Sequence, residues 1–288
     1  MNSSQPTVQA SCVAIDIGGT KVDVAIVHPN GTIASRERIE VAEYPATLAD
    51  EIVKRVSSLN GIEQIERVGV ACAGPMTRNG ESVSPLNIAQ WREFPLQSFL
   101  STSLNKPVRI EGDVRALALA EGAFGAAQHD RNYASMVVST GVGGALVMDG
   151  RLVDGDSGNA GHLGHINVVP NGNLCSCGTK GCLEAEASGW AIQALTGQPA
   201  SEASEEVRER TARLVGRGIG TLASVLDFNR CYVAGSVALG FGDQFFTTAS
   251  ASARAMATMH YSKDLQVCKS GLDQNGSLLG AALVAWQE

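Results

Sequence analysis

Positive charge is scarce in this chain: 22 Lys and Arg stand against 29 Asp and Glu over 288 residues, a formal net charge of −7 and an isoelectric point near 5.3. A phosphate backbone finds little to attract it on such a surface. The one basic cluster, Arg208 to Arg217, alternates with Glu209 and apolar residues as a solvated helix face does, so nucleic acid is not an expected partner. Long apolar runs are absent too. Although 44% of the residues are hydrophobic, no stretch approaches the ~20 residues needed to span a bilayer, and no membrane partner is expected. Two phosphate-binding signatures are also missing. There is no Gly-x-x-x-x-Gly-Lys-[Ser/Thr], and no Gly-x-Gly-x-x-Gly opens a helix after a strand, which excludes a P-loop and a dinucleotide-binding fold. Finally, there is no N-terminal pattern of positive, apolar and small residues, and the seven cysteines are odd in number, which argues against a secreted disulfide scaffold and for a cytoplasmic protein.

Four of those seven cysteines, Cys12, Cys72, Cys231 and Cys268, lie singly in apolar or strand-like runs, as small buried hydrophobes do. The other three belong to the most informative stretch of the chain. Gly161-His-Leu-Gly-His165 is followed, nine residues on, by Cys175-Ser-Cys-Gly-Thr-Lys-Gly-Cys-Leu-Glu184. One imidazole, His165, ahead of three thiols, Cys175, Cys177 and Cys182, is the ligand set of a closed tetrahedral Cys3His zinc site. Gly178 and Gly181 let the loop fold tightly around an ion. The alternative is three reduced thiols without a metal.

Along the chain, Val13 to Ile17, Val22 to Val27 and Thr32 to Ile39 read as strands joined by Gly18-Gly19-Thr20-Lys21 and by Asn30-Gly31. Thr47 and Asp50 form a capping-box pattern ahead of a helix with Leu48, Ile52, Val53, Val56 and Leu59 on one face. Val68 to Ala73 and Val108 to Glu111 are further strands, and Asp113 opens an apolar helix running to about Phe124. The plan then recurs: an apolar Ser135 to Ser139, a turn at Thr140-Gly-Val-Gly-Gly144, an apolar Ala145 to Met148, and a hairpin at Asp149-Gly150 leading to Arg151. Helices are expected over Glu184 to Leu195, Glu205 to Leu226, Phe241 to Met259 and Gly276 to Trp286, with strands at Cys231 to Ala234 and Leu265 to Cys268. Mixed strands and helices make the fold α/β. Two similar halves imply two lobes around a cleft, the first formed by residues 1–114 with about 274–288 and the second by residues 115–273.

Glycines let backbone approach a ligand, and the N–H groups of such a turn make a concave anion site. With the hydroxyls of Thr20 and Thr140 added, the two glycine hairpins suit nucleotide phosphates; the plainer alternative is a pair of tight hairpins. Asp113 is an acid at a strand-to-helix junction, where it can take a proton from an attacking hydroxyl or cap its helix.

Taken together, Asp16-Ile-Gly-Gly-Thr-Lys21, Cys72-Ala-Gly-Pro75, Ser139-Thr-Gly-Val-Gly-Gly144, the His165 to Glu184 segment and Ala234-Gly-Ser-Val237 resemble the ROK family of bacterial sugar kinases and sugar-responsive repressors. The resemblance runs over nearly the whole chain in family order. It implies a two-lobed actin-like ATPase (ribonuclease H-like) fold with a structural zinc loop, and transfer of a phosphoryl group from ATP to a hexose hydroxyl, usually at C6. Mg2+ would accompany the ATP. By the same resemblance Asp113 is the catalytic base. Asp16, Gly18, Gly19, Thr20 and Lys21 would meet the phosphates and metal, Thr140, Gly141 and Gly143 the phosphates, and Gly235 and Ser236 the adenosine. Gly74, Asn87, Asp113, His162, His165 and Glu184 would meet the sugar. A homodimer is implied as well. The family's repressors carry a helix-turn-helix domain ahead of these lobes, and the dozen or so residues before the first strand here are too few for one, so an enzyme is expected.

Two departures from the family pattern bear on the substrate. His162 stands where the family's glucokinases have Glu. An imidazole can donate a hydrogen bond, which suits a sugar with a carbonyl acceptor near C2, and this variant resembles the N-acetylmannosamine kinases of the family. Gly112 stands where the family usually has Asn beside the catalytic acid, which removes a partner for a sugar hydroxyl. A glucokinase, another hexose or N-acetylhexosamine kinase, or a degenerate sugar-binding member remain the alternatives.

Overall fold

The structure, a computed structural model, describes residues 10–44, 46–85, 88 and 90–287. The chain divides into two compact units. The first takes the residues up to Ala120, Gly155–Asn159 and the chain from Gln274 onwards; the second takes Glu121–Asp154 and Ala160–Asp273.

In unit 1, β1 (Cys12–Ile17), β2 (Lys21–Val27) and β3 (Ile33–Glu40) form an antiparallel meander. On the other side of β1 lie β4 (Val68–Cys72) and β5 (Val108–Gly112), both parallel to it, giving the order β3-β2-β1-β4-β5. β1 and β4 read as continuous apolar runs because both their faces are covered. Helix α1 (Leu48–Ser57) packs against β2 and β3 and against α2 (Leu96–Leu104), which also covers β5. The last helix, α9 (Gly276–Trp286), lies over β1, β4 and β5 and packs closely on the start of α3 (Asp113–Ala123), where a Cβ at Gly280 would sit 2.0 Å from the carbonyl oxygen of Ala116. Close approach of α9 needs a bare backbone on β4: a Cβ at Gly69 would sit 1.9 Å from the carbonyl oxygen of Ala281. Ile15, Ile17, Val70, Ile52 and Leu100 are fully enclosed in this core, each contributing about 1.5–3 kcal/mol by leaving water. Helix α1 begins where its sequence suggests, but Thr47 makes no side-chain cap; the register of apolar residues, with Leu48, Ile52 and Val56 buried, sets the helix instead.

Unit 2 repeats the plan. β6 (Tyr133–Val138), β7 (Val142–Met148) and β8 (Arg151–Leu152) form the meander, and β9 (Arg230–Ala234) and β10 (Gln266–Lys269) run parallel to β6, giving β10-β9-β6-β7-β8. Between β8 and β9 come the cysteine loop, α4 (Leu183–Ala187), α5 (Gly189–Thr196) and the long α6 (Glu205–Leu226), and between β9 and β10 come α7 (Ser236–Gly240) and α8 (Asp243–Met256). Helices α6 and α8 pack along each other over Val215, Ile219, Phe245 and Ala249. One helix expected to be continuous is divided. Ser188 is extended (ψ 162°), and its buried hydroxyl caps α5 through the N–H of Ala191, so 184–195 breaks into α4 and α5. The helix expected over Phe241 to Met259 is α8, which starts after Gly242 at φ 72°; the short α7 ahead of it has no counterpart in the sequence reading.

Candidate functional site

In unit 1 the three parallel strands end level with one another, since Ile17 pairs with Cys72 and Cys72 with Gly112. That edge gathers Asp16 at the end of β1, Ala73-Gly74-Pro75 leaving β4 through a cis peptide, and Asp113, which opens α3. Carboxyl-terminal strand edges of this kind are where open α/β sheets hold ligands. The carboxyl of Asp16 is pushed up to about 7, first by burial and then by the negative charges of Asp113 and Asp23, against the opposing charges of Lys21 and Arg36. Asp16 and Asp113 therefore feel each other, and the charge of Lys21 is near enough to act on Asp16. A carboxyl pair short of positive charge is a place a divalent cation fits. Asp113 accepts a hydrogen bond from the N–H of Val114 through Oδ1 at 2.8 Å, so it serves its helix start as well. The β1–β2 turn of Gly18, Gly19 and Thr20 is closed by the N–H of Gly18 on the carbonyl of Lys21 at 3.0 Å. Asn87 lies outside the described residues.

Two features of this edge carry no signal in a motif search. Asp23, opposite Asp16 on β2, is 1% exposed and accepts four hydrogen bonds, from Arg36 (3.1 and 2.7 Å) and Arg38 (2.8 and 3.1 Å). Burial pushes its carboxyl up, but the two guanidinium groups outweigh that and hold it below the usual carboxylate range. The two arginines alternate on β3 with period two, the only hint the sequence offers. Second, Arg115 reaches back along α3 to Glu111, Nε to Oε1 at 2.7 Å and Nη2 to Oε2 at 3.2 Å. Its stem lies over Gly112, whose missing Cβ would meet Arg115 at an ordinary 3.4 Å.

In unit 2 the equivalent edge holds Ser139-Thr140-Gly141 between β6 and β7, and Gly235-Ser236 after β9. The first turn is closed by the Ser139 N–H on the carbonyl of Gly141 at 2.9 Å, and Ser139 and Ser236 join through their hydroxyls, also at 2.9 Å. Gly235 has φ 101°, and a Cβ there would lie 2.3 Å from the carbonyl oxygen of Val138, so only glycine brings Ser236 to this turn. Gly143 is not part of the turn but sits in β7, paired with Val137.

The segment after the cysteines is fastened to that turn at three points. The N–H of Val142 donates to Glu184 Oε2 (3.1 Å), that of Gly189 to the Ser139 carbonyl (2.7 Å) and that of Trp190 to the Thr140 carbonyl (3.1 Å). Behind it, His165, Cys175, Cys177 and Cys182 offer four ligand atoms within 4.8 Å of one another. Cys177 Sγ is 3.6 Å from Cys182 Sγ, and Cys175 Sγ is 3.5 Å from His165 Nδ1, close to the ~3.5–3.8 Å edges of a tetrahedron with Zn–N and Zn–S bonds. The donor set fits a tetrahedral ion such as zinc. The Cys177 thiol is held below its ordinary value, chiefly by the backbone of Thr179, while burial pushes Cys182 up to about 12. The ring of His162 lies 6.1 Å from that of His165, nearly parallel at 23°, so the second imidazole is held beside the loop.

A profile of the ROK family matches residues 12–288. The chain belongs to the ROK family. It is 32% identical to an N-acetylmannosamine kinase of Haemophilus influenzae over 290 aligned positions, covering 94% of each chain. It is 42% identical to an N-acetylmannosamine kinase of Vibrio cholerae over 185 positions, 63% of each chain. Its structure superposes on a ROK family glucokinase from Streptomyces griseus, solved in complex with glucose and AMPPNP, with a TM-score of 0.80 and 29% identity over 97% of this chain and 100% of that one. The α/β fold with mixed sheets is thus that of the ROK sugar kinases, an actin-like ATPase fold. Among the described residues, no helix is long and apolar enough to cross a membrane.

Proposed function

We propose that this ROK-family chain is an ATP-dependent sugar kinase that transfers the γ-phosphoryl group to the C6 hydroxyl of N-acetylmannosamine. Relatives named N-acetylmannosamine kinase that match along 94% of their length carry this reading. His162 supports it, as a side chain able to donate to an N-acetyl carbonyl. The second reading, glucokinase, is favoured by the superposition on the Streptomyces griseus enzyme.

In the reaction the C6 oxygen attacks the γ-phosphorus, the bond to the β–γ bridging oxygen breaks, and ADP leaves. Asp113 takes the hydroxyl proton. Its second duty, accepting from Val114, fixes the carboxyl for that transfer. Positioning and charge neutralisation provide most of the acceleration in such reactions. Asp16 is the residue that would hold Mg2+, which when bound neutralises phosphate charge; the charge of Lys21, which acts on Asp16, would add to that neutralisation. The turns at Gly18-Gly19-Thr20 and Thr140-Gly141 offer amides and hydroxyls to the phosphates, with Gly143 behind the second turn, and Gly235-Ser236 faces the adenosine. The sugar is met by Gly74, Asn87, His162, His165 and Glu184. Zinc would be held by His165, Cys175, Cys177 and Cys182, a closed set with no position left for a reacting water, so its part is structural. The two units serve as the two lobes, and we assign the protein to the cytoplasm as a homodimer.

The test is ADP formation with N-acetylmannosamine, N-acetylglucosamine, glucose, mannose and fructose, using Asp113→Asn as control. N-acetylmannosamine is expected to give the highest kcat/KM. Asp113→Asn should lower kcat by about 10^3-fold or more while sugar binding survives. A clear preference for glucose would replace the first reading with the second.

A further inference from the structure

Three tryptophans differ widely in exposure: Trp91 and Trp286 are 3% and 6% exposed, Trp190 66%. Trp190 does not sit on a mobile loop. It lies in the first turn of α5, where its own N–H and that of Gly189 are tied to the β6–β7 turn through the carbonyls of Thr140 and Ser139. Trp190 lines a cavity of about 380 Å3 together with Thr140, Ser236, Gln193 three residues further along α5, Val237 and Phe241. That volume lies in the range of small-molecule sites. The cavity is therefore lined both by residues of a turn with amide and hydroxyl donors and by a largely exposed aromatic residue.

We infer that Trp190 is the base-stacking residue of this chain, holding the base of a nucleoside triphosphate whose phosphates lie at Thr140 and Gly141. The inference rests on the kinase reading above and adds to it how the donor is recognised. Stacking draws on the area of a planar base and is indifferent to its hydrogen-bonding edge, and aromatic platforms of this kind contribute substantially per base. A phosphoryl compound without a base would use the turn but gain nothing from the indole.

Three proteins test this, each as the full chain: wild type, Trp190→Ala and Trp190→Phe. A non-hydrolysable ATP analogue and inorganic tripolyphosphate are titrated into each by calorimetry, and tryptophan emission is recorded. Trp190→Ala is expected to weaken the ATP analogue about tenfold or more and leave tripolyphosphate unchanged. Trp190→Phe should recover most of the loss. The analogue should change the emission of the wild type but not of Trp190→Phe, whose two remaining tryptophans are buried. Equal affinity of wild type and Trp190→Ala for the analogue would overturn the inference while leaving the kinase reading in place. So would an equal loss for analogue and tripolyphosphate, which would mark Trp190 as a support of the turn. Failure of the wild type to bind any nucleotide would remove both readings together.

Discussion

The two units share one strand plan, yet the edges where their parallel strands end carry different chemistry. In unit 1 the exits of β1 and β5 are acids, Asp16 and Asp113, and a third acid, Asp23, is neutralised beside them by Arg36 and Arg38. In unit 2 the corresponding exits are Ser139-Thr140-Gly141, Gly235-Ser236 and Ser270-Gly271, with hydroxyls and glycines and no acid. Around that second edge the chain inserts a long segment with a metal-ligand set, fastened to the turn through Glu184, Gly189 and Trp190. The same scaffold thus supports one edge whose strand exits carry acids, suited to proton and cation chemistry, and one whose exits carry hydroxyls and glycines, where the carboxylates of Glu184 and Glu121 reach in to accept from Val142, Ser270 and Gly271. Topology sets where a site can be, and the side chains at the strand ends set what it does.

The largest effect that separates the edges should come from removing the metal. Zinc analysis of purified protein is expected to give one ion per chain. Chelation, or Cys177→Ser, should lower the melting temperature by about 10 °C, equivalent to about 3 kcal/mol or more. Hydrogen exchange should quicken across residues 161–196 while β1 and β4 of unit 1 stay protected. Equal loosening of both units would break the comparison.

Next comes the charge on the first edge. The folded carboxyl of Asp16 titrates near 7, above the ordinary 3.8, so the fold prefers it protonated. Its favourable contribution is complete below pH 3.8 and is lost as pH rises through 7. In the nucleotide-free and metal-free protein, Asp16→Asn should therefore stabilise by about 1–3 kcal/mol at pH 8 and by nothing near pH 4. Denaturant midpoints at the two pH values check this, and a variant less stable at pH 8 would contradict it.

The smallest effect concerns Gly112. A Cβ there would lie at ordinary distances from its nearest neighbours, the stem atoms of Arg115, so Gly112→Asn should fold normally. An added amide partner for a sugar hydroxyl should lower the sugar KM about fivefold with little change in kcat. A raised KM would show that the open space is itself needed by the substrate.

Much of this arrangement was legible in the residues. The hairpins at Gly18-Gly19 and at Thr140-Gly141, the Cys3His spacing, and helices α6 and α9 follow from local turn chemistry and unbroken apolar periodicity. What escaped depends on tertiary contacts. Helix α2 has a weakly amphipathic pattern behind Pro95 and forms because Leu96 and Leu100 fill space beside α1 and β5. The break at Ser188 interrupts an apolar run that a periodicity reading joins, and α7 is too short to show a period of its own. Asp23 sits in an otherwise apolar strand and gains its partners only when β2 and β3 pair. Glu184 was expected to meet sugar hydroxyls; the structure adds that its Oε2 holds the N–H of Val142, a contact between residues 42 positions apart.

The account depends most on Asp113 acting as an acceptor of the sugar's proton at the charged edge. ADP release from wild type and from Asp113→Asn, each with saturating N-acetylmannosamine and Mg-ATP, tests it directly. Sugar-dependent turnover in the wild type and about a thousandfold less in the variant, with sugar binding retained, is the predicted result. Equal turnover in the two proteins, or none from the wild type with any hexose, would contradict it.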